Sequence, residues 1–300
     1  MHGENLMLTQ LYSIEAPLPY LESMAGRPYT YTYTPPPGVA RTNRRVVLQT
    51  VSIRNARPIA DHLSLDRNGF ALMRHESAVS NFYDDEVRTV YYPECERLLT
   101  GATGAARVVV FDHIVRCAPR ARNGEKGVKE PAKGVHNDYT LRSGPQRLRD
   151  LLPDEAAALL KHRFAIINVW RPIRGPVRES PLAVCDARSL QPDDFVAGDL
   201  IYPQRRGEIY AVTFRPTHHW YYFPHMQPDE ALLLKCYDSA ADGRARFTAH
   251  TAFDDPTSPP DAAPCESIET RGFVFFAPET EGNRAHPQAV SQRAFGASTD

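Results

Sequence analysis

From residue 164 onward the chain is cut into apolar segments too short for anything but strands. They span 164–170, 182–186, 209–214, 220–223, 231–237, 246–253 and 267–276. Valine, isoleucine and aromatic residues dominate them, and turn residues separate them. The chain carries 26 prolines, mostly in the connections. A backbone interrupted this often cannot build long helices. It favours a β-dominated fold, a sandwich or barrel with long connections.

The first hundred residues read differently. Strict alternation over 29–34 predicts a strand stopped by Pro35-Pro36-Pro37, and 46–53 predicts another. Residues 60–65 and 84–99 read as helical, with Pro93 dividing the second, and Asn68-Gly69 turns into a strand at Phe70. The expectation is one domain over 1–300, in which 1–100 form an α+β segment packed on a core spanning 105–280. Residues 108–115 predict a buried strand, 118–134 a polar and basic loop, and 146–163 a helical region with Pro153 inside it.

Charge and cysteine content narrow the class. A net charge of −1 gives no electrostatic reason to expect nucleic acid or an anionic membrane as partner. No apolar run approaches the roughly 20 residues that span a bilayer. The opening Met-His-Gly-Glu-Asn-Leu-Met has no secretory pattern. Five scattered cysteines without a CxxC pair exclude a zinc ribbon and predict a reduced, cytoplasmic protein.

His136-Asn137-Asp138 carries the chemistry. In an extended segment, side chains two residues apart project to the same side, so His136 and Asp138 can share one metal ion. The plainer reading is a turn histidine and a capping aspartate. A second histidine from a distant strand would complete a 2-His-1-carboxylate triad, which leaves coordination positions open on iron(II). His250, in 247–253, is the first candidate. A histidine strand, a proline-rich loop and then the strand bearing Arg271 follow the order in which jelly-roll oxygenases present a distal histidine and the cation that grips 2-oxoglutarate. His218, two strands earlier, is the competitor; if His250 is the ligand, His218 becomes a candidate substrate contact. The fold expected on this reading is mainly β with flanking helices around a double-stranded β-helix (jelly roll) core.

Several segments together resemble a known family. They are Phe111-Asp112-His113, His136-Asn137-Asp138-Tyr139-Thr140, Asn168-Val169-Trp170-Arg171-Pro172-Ile173, Pro181-Leu182-Ala183-Val184-Cys185-Asp186, His219-Trp220-Tyr221-Tyr222-Phe223-Pro224, the run from Asp229 to Ser239, His250-Thr251-Ala252-Phe253 and the run from Glu266 to Arg271. This set, running from about Gly69 to Phe276, resembles the hydroxylase/desaturase oxygenases of secondary metabolism. Among them are a cephamycin methoxylation component and fungal asperfuranone and meroterpenoid enzymes. The resemblance implies an iron(II)- and 2-oxoglutarate-dependent oxygenase that uses dioxygen to hydroxylate or desaturate a small natural-product-like substrate. It implies His136, Asp138 and a downstream histidine, here His250, as ligands. Arg271 and Ser267, four residues apart on one strand face, would then hold 2-oxoglutarate. Trp170, Trp220 and Tyr221 would line the pocket, Arg171 would offer a cation to a bound carboxylate or carbonyl, and the loop 119–134 would close over the metal. Where relatives of this kind carry arginine, this chain has Cys265, which leaves open which cation grips the co-substrate. The rival readings are a cupin-like metalloenzyme without 2-oxoglutarate and a non-catalytic jelly-roll binding protein.

Overall fold

The structure, a computed structural model, describes residues 11–278; the N-terminal stretch read above for a secretory signal lies outside them. Two sheets carry the fold. The larger has nine strands, in spatial order β1 (Ser13–Leu21), β3 (Val46–Asn55), β12 (Trp220–Tyr222), β9 (Leu182–Cys185), β14 (His250–Ala252), β7 (His136–Asn137), β11 (Arg206–Val212), β10 (Phe195–Ile201) and β2 (Tyr29–Tyr31). The smaller has six, β4 (Phe70–Arg74), β13 (Glu230–Asp238), β8 (Phe164–Pro172), β15 (Glu266–Phe275), β5 (Arg107–Cys117) and β6 (Val128–Lys129). Facing each other, they form the expected double-stranded β-helix with flanking helices.

All seven strands expected after residue 164 are present, but 246–253 contracts to β14 and 29–34 to β2. Three strands escape the sequence reading, β1, β10 and the two-residue β6. In β1, Ile14, Ala16, Leu18 and Tyr20 alternate into the core while Pro17 and Pro19 occupy the other positions. The prolines are tolerated because β1 is the first strand of its sheet, where a missing N–H breaks no ladder on the open side. The Pro19 carbonyl accepts from the Val135 N–H at 2.9 Å, and Leu21 bridges Thr213. The larger sheet thus curls until its edge meets the strands near the histidines. The unread strand β10 contains Gly198 and Asp199, which depress strand propensity.

The helices follow the same logic. Residues 60–65 are replaced by a 3₁₀ turn at Arg57–His62. The region 84–99 divides as expected, a π turn at Val87–Tyr91 running into α1 (Tyr92–Thr103) with Pro93 in its first turn, where a missing N–H costs nothing. The loop 118–134 contains a short helix, Ala118–Arg122, and β6.

Alternation along β8 and β13 sorts three cores. Ile166, Trp170, Leu232 and Leu234 pack between the sheets. Ala165, Ile167, Val169 and Leu233 face α1 and its Leu99. Ile14, Ile53, Ala183 and Trp220 fill the curl of the larger sheet. Each buried Ile, Leu or Trp contributes roughly 1.5–3 kcal/mol by leaving water.

One turn joins this scaffold to the histidine strand. Gly69 adopts φ +87°, and its carbonyl accepts from Lys235 N–H and from the Thr248 hydroxyl at 2.7 Å. A Cβ at this position would collide with Thr248 Oγ1. Strain at positive φ and forced repacking each cost about 1–3 kcal/mol. Gly69→Ala is therefore expected to lower unfolding free energy by about 2–4 kcal/mol in urea denaturation; an unchanged midpoint would show the turn to be looser than its geometry implies.

Candidate metal centre

β7 and β14 are antiparallel neighbours with His136 directly opposite His250, and the two imidazole centroids lie 4.5 Å apart. Asn137, between His136 and Asp138, points the other way into the core, where it is completely buried. Its Oδ1 accepts from Thr248 N–H at 3.1 Å, and its Nδ2 donates to the carbonyls of Tyr139 and Cys236 at 2.6 and 2.9 Å. The middle residue of the tripeptide therefore clamps the two histidine segments together. Among the described residues, one group of His, Cys, Asp and Glu side chains could hold a metal: His136, Asp138 and His250, with ligand atoms all within 4.8 Å of one another.

Orientation favours ligation. His136 Nδ1 lies 2.7 Å from the Gly134 carbonyl, and His250 Nδ1 lies 2.8 Å from the Thr248 carbonyl. A carbonyl only accepts, so each Nδ1 carries the proton and each Nε2 keeps its lone pair. Burial, with His136 alongside, pushes His250 below the usual histidine range and keeps it neutral. Asp138 divides its oxygens: Oδ2 accepts from Asn168 Nδ2 at 2.8 Å and Arg271 Nε at 2.9 Å, while Oδ1 turns to His136 Nε2 at 3.5 Å. Burial opposes charge on Asp138, but Arg271 and the two histidines prevail and hold it well below the usual carboxylate range. Two imidazoles tied at Nδ1 to backbone carbonyls and one carboxylate with a free oxygen suit a divalent metal with open positions.

Arg271 is heavily engaged. Besides Asp138 it faces Asp112 at 3.4 Å and Glu269 at 3.5 Å. The sequence reading missed Asn168, which also donates to Glu269 at 2.8 Å, and Arg116, which stands opposite Ser267 across β5 and β15. The signal was present: Ser267, Glu269 and Arg271 alternate with Ile268 and Thr270 along a strand buried almost throughout, so one face is polar. A small cavity beside the histidines is lined by Arg116, Trp170, Ser267 and Glu269. Trp170 and Ser267, both expected at the site, border this cavity.

Other expected residues lie elsewhere. Arg171 pairs with Ile268, on the face turned to α1, and packs over the Tyr91 ring at 5.4 Å; one residue of parity removes it from the centre. Trp220 fills the curl of the larger sheet, donating to Tyr20 Oη at 2.7 Å. His218 is bound there between Tyr20 and Asp194, each at 3.0 Å, so His250 and not His218 meets His136 and Asp138. Tyr221 is on the metal-facing side of its sheet but is buried against Phe70. Beyond the metal residues opens a cavity of about 970 Å³, bordered by residues 127, 129 and 132–134 of the basic loop.

Comparison with known proteins agrees with this geometry. A family model described as an oxidoreductase/YMDC permease-like domain matches residues 18–275. The chain is similar to the hydroxylase/desaturase efuI of Hormonema carpetanum, 36 % identical over 79 % of this chain and 87 % of the relative. It is also similar to the Fe(II)/2-oxoglutarate-dependent dioxygenase nvfI of Aspergillus novofumigatus, 34 % identical over 82 % and 90 % of the two chains. The solved iron and alpha-ketoglutarate-dependent endoperoxidase NvfI superposes with a TM-score of 0.77 at 31 % identity, over 88 % of this chain and 98 % of that one.

The buried ion network predicts a pH signature. A depressed Asp138 pKa stabilises the fold above the unfolded carboxylate value of about 4, and the benefit is lost as pH falls through the folded value. Arg271→Met leaves Asp138 without its cation and is expected to cost about 3–5 kcal/mol at neutral pH. The deficit should shrink in acid, where Asp138 protonates. Urea midpoints measured across pH check this; a pH-independent deficit would mean that the arginine acts through packing alone.

Proposed function

The chain belongs to the iron(II)- and 2-oxoglutarate-dependent hydroxylase/desaturase family of natural-product biosynthesis, and on that premise we propose that His136, Asp138 and His250 ligate its iron while Arg116 and Ser267 seat the far carboxylate of 2-oxoglutarate. It is a dioxygenase that uses iron(II), 2-oxoglutarate and dioxygen to oxidise a small-molecule substrate. The observation that supports the ligand assignment most directly is the backbone bond on each Nδ1, which leaves each Nε2 for a metal, beside an Asp138 oxygen left free of Asn168 and Arg271.

Arg116 is assigned to the co-substrate because Arg271 is already committed. Three carboxylates surround Arg271, whereas Arg116 has a carbonyl partner, Glu130 O at 2.9 Å, and Glu269 at 3.9 Å. Burial lowers the Arg116 pKa, so an incoming carboxylate would restore what the site withholds. Ser267, across from it on β15, adds a hydroxyl donor. Arg271 then serves as a positioning residue that keeps Asp138 ionised and turned toward the metal.

Bound iron supplies the oxidising chemistry, with 2-oxoglutarate released as succinate and carbon dioxide and the substrate hydroxylated or desaturated. The protein's residues supply geometry. Trp170 walls the co-substrate cavity with an apolar face that excludes water, and residues 127, 129 and 132–134 border the larger cavity. Five buried, unpaired thiols support a cytoplasmic location.

Anaerobic addition of iron(II) and 2-oxoglutarate should produce a weak visible charge-transfer band. His136→Ala should abolish the band and succinate formation together. Arg116→Met should keep iron binding but raise the 2-oxoglutarate concentration needed for the band by about tenfold or more. A band that survives His136→Ala sinks the ligand assignment, and iron binding indifferent to 2-oxoglutarate in the parent protein points to the cupin-like rival.

A further inference from the structure

The large cavity has a charge pattern that metal and co-substrate do not account for. Nine Lys and Arg side chains line it against four Asp and Glu, in a chain whose overall balance is 35 to 36. Six of the cations have ion-pair partners. Lys133 holds Asp254, Arg142 holds Glu208, Arg147 faces Asp112, Arg206 faces Asp199, and Arg116 and Arg271 belong to the network around Glu269. Arg44, Lys129 and Arg205 remain.

These three come from separate parts of the chain and line the same cavity. Arg44 precedes β3, Arg205 lies in the turn between β10 and β11, and Lys129 is on β6 at the edge of the smaller sheet. Arg205 stacks over the Tyr202 ring at 3.9 Å, which leaves its N–H edge free for in-plane donation. Arg44 is half-buried, and its Nε is buried without a hydrogen-bond partner. A buried guanidinium N–H left unpaired costs free energy, so a solvated surface cluster does not explain it. Burial, with Arg116, Arg271 and Arg205 nearby, outweighs the opposing charge of Asp112 and pushes Lys129 below the usual lysine range.

We propose that Arg44, Lys129 and Arg205 form an oxyanion subsite, and that the substrate carries an acidic group, carboxylate or phosphate, held there while its reacting carbon faces His136 and Asp138. The proposal deepens the oxygenase reading and rests on it for identifying the cavity as the substrate's. An acid anchored at the mouth would fix one end of an otherwise apolar skeleton and orient the other. It would also make capture depend on ionic strength, because part of the attraction acts through solvent.

The test is calorimetric titration under anaerobic conditions, with iron(II) and 2-oxoglutarate loaded so that the metal site is filled. The probes are naphthoate, naphthyl phosphate and methyl naphthoate. One or both acids should bind about tenfold or more tightly than the neutral ester, with affinity falling as salt rises. The preferred acid identifies the group. Arg44→Gln, and Arg44→Gln combined with Arg205→Gln, should weaken acid binding in steps while leaving ester binding and the iron–2-oxoglutarate band unchanged. Both variants should melt close to the parent, because neither Arg44 nor Arg205 gives up an ion pair. Equal binding of acid and ester, or acid binding unchanged in the double variant, overturns the proposal. A parent protein without the band overturns the oxygenase reading instead, and the titrations still report on the subsite.

Discussion

The site hangs on one buried carboxylate that has to stay charged. Asp138 belongs to the larger sheet's side, yet the groups that neutralise it, Arg271 and Asn168, belong to β15 and β8 of the smaller. Taking a carboxylate out of water is costly unless its charge and lone pairs are met. Here the meeting happens across the gap between sheets, so bringing the layers together and forming the site are one event. Because Asn168 and Arg271 take one oxygen only, the compensation still leaves a ligand atom free. The same guanidinium also faces Asp112 and Glu269, so three acids surround it.

What could be read from the sequence is what alternation and order carry. His136 and Asp138 share a side because one residue separates them, and that local rule needs no tertiary knowledge. Strand order placed His250 ahead of His218. Parity on a strand buried on both faces is another matter. Trp170 and Arg171 are adjacent, both buried, and equally plausible as pocket residues; only the pairing of Trp170 with Glu269 and of Arg171 with Ile268 separates them. Apolar runs such as β8 carry no polar face to orient them, so a one-residue decision cannot be made locally. Trp220 and Tyr221 pose the same ambiguity, and neither borders the cavity.

The strands that went unread also have physical reasons. β1 hides its alternation behind Pro17 and Pro19, residues that argue against a strand unless the edge position is known, and edge position is a property of the whole sheet. The contraction of 246–253 to β14 reflects competing bonds. Thr248 gives its N–H to Asn137 and its hydroxyl to Gly69 and Lys235, so the backbone before His250 is held by side chains and a turn and not by a ladder. That irregularity lets Thr248 turn its carbonyl to His250 Nδ1 and set the tautomer.

The two sheets divide the chemistry. The larger contributes His136 and His250, whose orientation is set by backbone carbonyls over a short range. The smaller contributes Arg116, Glu269, Arg271 and Lys129, whose effects extend over several ångströms. A substitution at the cavity mouth, at Arg44 or Arg205, changes the field felt by an incoming acid without touching the bonds that hold His136 and His250. The bonds that orient the two histidines run to Gly134 and Thr248, so they pass through none of Arg44, Lys129 and Arg205.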